Sequence, residues 1–183
     1  MRSSKRVLMV GAVVGLFAAL SAVAIAASPH FKKGGEPVCR VTSGTNSAST
    51  TCTASLAGLG FGDLAIDQTV SGFAVYQCQN QGGNTAPGQN RVLEGPVTEP
   101  TTIPSGAIKN GNVTFTTNPT VLTADNTVSG AAAGCPNPNW TGVNPTLTVT
   151  NITLTISQGG TLLFTCTASN SNGLTGRVPL SCS

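Results

Sequence analysis

The stretch TLTVTNITLTISQGGTLLFTCTAS, residues 146–169, alternates apolar and hydroxyl-bearing side chains. A period of two is the pattern of a β-strand with one buried face and one wet face. Leu147 and Val149 fall on odd positions, whereas Ile152, Leu154 and Ile156 fall on even ones. A slip of one residue turns every later side chain to the other face. The phase change at Asn151-Ile152 therefore predicts a bulge or a crossing between sheets. Gln158-Gly159-Gly160 predicts the tight turn of a hairpin.

The same grammar extends outward. VCRVT (38–42), TTCTASLAG (50–58), LAIDQTV (64–70), FAVYQCQ (73–79), NVTFTT (112–117) and GRVPLSC (176–182) read as strands. Ser71-Gly72 predicts a break or bulge between the fourth and the third of these, counting along the chain. Gln68 interrupts the apolar face set by Leu64, Ile66 and Val70. RVLEGPV (91–97) reads as a short edge strand because Pro96 cannot donate to a ladder. Asn110-Gly111 offers a turn with positive φ. QNQGGNTAPGQN (79–90) reads as a polar loop, and residues 118–145 as loop with at most one helical turn in ADNTVSGAAAG.

These elements predict an all-β, disulfide-stapled β-sandwich of about seven or eight strands. An immunoglobulin-like Greek key is the first expectation, and a barrel or jelly roll the second. The only tryptophan, Trp140, does not lie in an early strand between bridged cysteines, so the antibody-domain pattern is absent.

The chain opens with MRSSKR and an uncharged run, Val7 to Ala27, that ends in small residues. Ala24-Ile25-Ala26 fits an A-x-A cleavage site, so residues 1–26 are expected to be a secretory signal peptide and the protein to be extracellular. The competing reading is a retained membrane anchor. Residues 27–37 are expected to be a flexible lead-in, and residues 38–183 a single β-sandwich domain.

Cleavage of 26 from 183 residues leaves 157. Lys32, Lys33, Arg40, Arg91, Lys109 and Arg177 then balance Glu36, Asp63, Asp67, Glu94, Glu99 and Asp125, for a formal charge of zero. That balance gives no support to nucleic-acid binding. Serine, threonine and asparagine solvate the chain in place of charge.

Cys39, Cys52, Cys78, Cys135, Cys166 and Cys182 all follow the cleavage site. An even count in an exported chain predicts three disulfides. There is no C-x-x-C pair, and the single histidine, His30, lies in the lead-in, so no zinc site and no cofactor are expected.

CTASLAGLG (52–60), CQNQGGNTAPGQN (78–90), IPSGAIKNGNVTF (103–115) and GCPNPNW (134–140) resemble a family of small secreted actinobacterial proteins over roughly residues 36–165. The resemblance implies export and a β-sandwich, and supplies no activity. For the cysteines, Cys39–Cys52 and Cys166–Cys182 would join strand-like segments close in sequence. Cys78–Cys135 is left by elimination.

Serine and threonine nucleophiles abound, but no histidine base is placed to activate them. Asp63, Asp67, Glu94, Glu99 and Asp125 qualify for glycosidase chemistry by type alone and read as surface and turn acids. Phe73, Phe115 and Phe164 read as core. Trp140 is the candidate ligand contact, as a stacking platform, unless it pins its loop. The expected function is therefore a non-enzymatic extracellular or cell-envelope interaction protein. A carbohydrate- or small-ligand-binding module and a secreted hydrolase or hydrolase inhibitor are the alternatives.

Overall fold

The computed structural model describes residues 28–183; the expected signal segment lies outside them. Thirteen strands form two antiparallel sheets. In chain order they are β1 His30–Phe31, β2 Val38–Ser43, β3 Ser47–Ala57, β4 Leu64–Gln79, β5 Thr85–Pro87, β6 Val92–Ile103, β7 Val113–Thr116, β8 Thr120–Thr123, β9 Thr127–Ser129, β10 Thr141–Gln158, β11 Thr161–Ser169, β12 Gly176–Pro179 and β13 Ser181–Cys182. One four-residue helix, α1, spans Gly130–Ala133. The first sheet runs β1-β3-β2-β12, with β7 and β8 on the far edge of β3. The second runs β13-β11-β10-β4-β5, with β6 also on β4 and β9 on β10.

The all-β, two-sheet expectation holds. The expected strand count of seven or eight is too low: β1, β5 and β9 have only two or three residues each and leave no readable period, β8 lies in the stretch 118–145 that reads as loop, and the segment that reads as one strand over 176–182 is two, β12 and β13. β6 is also longer than its sequence signal. It is an edge strand, so Pro96 and Pro100 can sit where no ladder donor is needed.

β10 carries both phases that its sequence announces. Leu147 and Val149, then Ile152, Leu154 and Ile156, all point into the core. The register against β4 shifts between Val149 and Asn151, which is the bulge that reconciles them. β4 answers with a shift between Val70 and Gly72 against β6. A Cβ on Gly72 would collide with the Thr148 carbonyl, so the close approach of β4 and β10 requires glycine there.

The flexible lead-in expected over residues 27–37 is corrected by the structure from Ser28 onward. His30 and Phe31 pair with Ala57 and Leu56 of β3. Lys32 N donates to the Ser55 carbonyl at 2.9 Å, and Ser55 N donates to the Gly35 carbonyl at 2.8 Å. Phe31 packs on Phe164 of the other sheet, with ring centroids 4.5 Å apart. Backbone pairing and an aromatic contact hold this segment despite its polar sequence.

The three disulfides pair as expected: Cys39–Cys52, Cys78–Cys135 and Cys166–Cys182. The first joins register partners on β2 and β3, and the third register partners on β11 and β13. The second closes the longest loop, 57 residues, and so restricts the unfolded chain most. Three disulfides fit an oxidising compartment. Among the described residues no helix is long and apolar enough to cross a membrane.

Gln68, the residue that breaks the apolar face of β4, is completely buried between the sheets. Its Nε2 donates to the Thr50 carbonyl and to Thr120 Oγ1, both at 2.7 Å. Its Oε1 accepts from Thr117 Oγ1 at 2.6 Å, and Thr117 Oγ1 accepts from Cys52 N at 2.8 Å. Every hydrogen-bonding group of this carboxamide except one lone pair is matched, and all of the side-chain partners lie across the sandwich. Gln68→Leu keeps the volume but strips the Thr117 hydroxyl of its acceptor, and the Thr50 carbonyl and Thr120 Oγ1 of a donor. It is expected to destabilise the fold by about 2–4 kcal/mol in urea unfolding, with the slope of the transition unchanged.

Candidate functional site

GCPNPNW follows α1 directly. Ser129 Oγ accepts from Ala132 N at 3.2 Å and caps the helix start, while Gly134, at φ 69°, ends it in the left-handed region. The segment then curls back over Gly130. The carbonyls of Trp140, Asn137 and Pro138 surround the point where a Gly130 Cβ would stand. On the other side, Gln89 N and Asn90 N both donate to the Ala133 carbonyl at 3.1 Å. Cys78–Cys135 fixes the same junction covalently to β4. The loop 79–90 is not entirely irregular, because Thr85–Pro87 add a short strand to β4. Trp140 is half-buried and packs on the core cluster.

Tyr76, on β4, buries its ring and directs its hydroxyl to the Asp125 carbonyl at 2.9 Å. Glu94 of β6 lies beside it. Burial, and then the charge of Asp125, push the Glu94 carboxyl above its ordinary range. Burial is also the main cause that raises the Tyr76 phenol, followed by the charges of Glu94 and Asp125. A shallow hollow of about 220 Å³ beside Tyr76, walled by Thr85, Pro87 and Thr146 among others, includes neither carboxyl. Asp63 accepts from Ser105 N at 2.7 Å and holds a turn. Asp67 stands on the outer face of β4, between Pro100 and Thr155. His30 is exposed and bonds through Nδ1 to the Ser28 carbonyl at 2.8 Å. The acids and the histidine are thus spread over separate places, with Glu94 and Asp125 the one pair in mutual reach.

The GLGFGD stretch, which reads as a plain turn, presents the most exposed aromatic of the described residues. Phe61 is fully exposed, at 103% of its reference surface. Its loop is nevertheless tightly held. Gln158, 8% exposed at the end of β10, accepts from Gly60 N at 2.9 Å and donates to the carbonyls of Gly60 and Gly62 at 3.0 and 3.1 Å. Leu59 is buried in the core and donates its N–H to the Gly111 carbonyl at 3.0 Å. Gly159 N donates to the Asp63 carbonyl at 3.2 Å. Gly62, at φ 105°, takes a conformation that other residues resist. Leu162, exposed just beyond the β10–β11 turn, adds a second apolar side chain at this end of the sandwich. The sequence does hold a signal for this site: a phenylalanine set between two glycines lies in a turn and belongs to no strand.

The outer face of the second sheet is lined with hydroxyls. Thr98, Thr69, Thr153, Thr167 and Ser181 stand opposite one another across β6, β4, β10, β11 and β13. Thr69 and Thr98 are bonded to each other at 2.8 Å. Phe73, expected in the core, is buried on this sheet under the Arg91 guanidinium, 4.2 Å from the ring centroid. No protein-family model, no curated protein and no solved structure matches the chain.

Two measurements test these assignments. If Trp140 pins its loop, Trp140→Ala lowers stability by about 2 kcal/mol; an unshifted unfolding midpoint means that the ring only awaits a ligand. Glu94 binds its proton more tightly in the folded than in the unfolded chain. The stability from that proton is therefore complete below the ordinary carboxyl range and is lost as pH rises through the elevated value of the folded state. Glu94→Gln is expected to be more stable than the wild type at pH 7, by an amount that shrinks on acidification; urea titrations at pH 7 and pH 4 read the difference.

Proposed function

We propose that this chain is an exported, non-enzymatic interaction protein of the extracellular space or cell envelope, and that the Phe61 loop is its principal contact. The observation that carries this reading is a fully exposed aromatic on a loop clamped from both sides. Burying a phenylalanine side chain is worth about 1.5–3 kcal/mol. A chain that leaves this unrealised, while spending a buried glutamine to hold the loop rigid, is organised for a partner that supplies the burial. Rigid presentation also lowers the ordering cost of association. The disulfides, the apolar N-terminal run with its A-x-A site, and the motif resemblance to small secreted actinobacterial proteins support the address. An immunoglobulin-like connectivity is part of the same reading, supported by the two antiparallel sheets.

A carbohydrate-binding module is the second reading, and the hydroxyl row across five strands favours it, because hydroxyl pairs can match a polyol chain. The two readings separate on one substitution. Phe61→Ser is expected to leave the unfolding midpoint unchanged and to weaken retention by immobilised envelope proteins at least tenfold. Undiminished retention of Phe61→Ser, together with retention of both proteins on insoluble polysaccharide, overturns the Phe61 reading in favour of the hydroxyl face.

A further inference from the structure

A formal charge of zero conceals a separation of charge. Lys32, Lys33, Arg40 and Arg177 belong to the first sheet and its leading turn, with Glu36 as the only acid among them. Asp67, Glu94 and Glu99 lie on β4 and β6 of the second sheet, and Asp63 and Asp125 in loops bonded to Ser105 and Tyr76. The first sheet therefore presents a positive outer face.

Within that face, Arg177 of β12 stands in register with Arg40 of β2, and Arg40 with Thr51 of β3. Register partners in antiparallel strands have Cα atoms about 4.5–5.5 Å apart. Like charges placed directly opposite each other destabilise a sheet. Both arginines are exposed. The cations that hydrogen-bond to protein oxygens among the described residues are Arg91, to the Ser171 carbonyl, and Lys109, to the Gly106 carbonyl; Arg40 and Arg177 keep their donors free. The pair faces an open concavity of about 510 Å³, which the turn at Gly34–Glu36 walls on one side. Thr53, Ser55 and Thr114 also line it, and the hydroxyls of Ser55 and Thr114 are already bonded to each other at 2.8 Å.

We infer that Arg40 and Arg177 form a binding site for a phosphate monoester. A carboxylate has two oxygens, which one guanidinium fork can saturate. A phosphate monoester offers three terminal oxygens and a charge near −2 once its second proton, with a pKa of about 6, has left. Two guanidinium groups on register-paired strands, lining one concavity, supply donors and charge to match. Glu36 reduces the charge of the lining to a net +1 and sets a ceiling on affinity. The site is on the opposite sheet from the β10 end that holds Phe61, so it stands independently of the proposed contact there.

The test is a calorimetric titration of the purified protein with methyl phosphate, inorganic phosphate and acetate, at ionic strength matched with chloride. Saturable binding of methyl phosphate, tightening as pH rises from 5 to 7, with none of acetate, is expected. Arg177→Gln and Arg40→Gln should each weaken it at least tenfold, and Glu36→Gln should strengthen it. Arg177→Gln should at the same time unfold no earlier than the wild type in phosphate-free buffer, because it removes a like-charge contact; this separates lost binding from lost folding. Inorganic phosphate binding as tightly as the methyl ester identifies the free anion as the ligand, whereas a tighter ester identifies the monoester. Equal heats for acetate and methyl phosphate, or undiminished binding by both glutamine variants, overturns the site.

Discussion

The two sheets are held in one relative position by the carboxamide of Gln68. Apolar packing is non-directional: Leu64, Ile66, Val70 and the β10 residues opposite them would tolerate small slides of one sheet over the other. The bonds from Gln68 to Thr50, Thr117 and Thr120 tolerate none, since a displaced carboxamide would leave several buried polar groups without partners. Thr117 passes the constraint on to the backbone of Cys52, and through it to the Cys39–Cys52 bridge. A second glutamine, Gln158, repeats the device at one end of the sandwich, where it fixes a loop in place of a sheet.

What the sequence discloses depends on how many consecutive residues share one physical demand. β10 is long, half-buried and paired on both sides for much of its length, so its period of two and the phase change at Asn151-Ile152 are readable. The Ser71-Gly72 irregularity was readable for the same reason, and the cysteine pairs could be argued from strand proximity. β1, β5 and β9 escape because two or three residues carry no period; their place is set by partners distant in sequence. Phe31 reads as part of a polar tail until Phe164 is seen beside it.

Of the candidate contacts, only the chemistry of single residues was legible. Trp140 stood out by rarity, yet its ring is half-buried beside a disulfide-anchored turn. The exposure of Phe61 is only hinted at by its flanking glycines, because the rigid presentation of its loop depends on how Gln158, nearly a hundred positions later, folds against them. The charge separation between the sheets was likewise hidden: a sum over the chain gives zero, and only the strand order shows that Arg40 and Arg177 are neighbours.

The path of residues 176–182 carries a consequence for how the molecule is made. β12 completes the edge of the first sheet, Leu180 turns through the core with its N–H on the Pro37 carbonyl at 3.0 Å, and β13 completes the edge of the second. A single seven-residue segment thus closes both layers, and its cysteine seals the closure against Cys166. A chain delivered from its N-terminus, as in synthesis or translocation, holds two unfinished edges until that segment emerges. Until then those edges carry unpaired backbone groups of the kind that can pair with other chains.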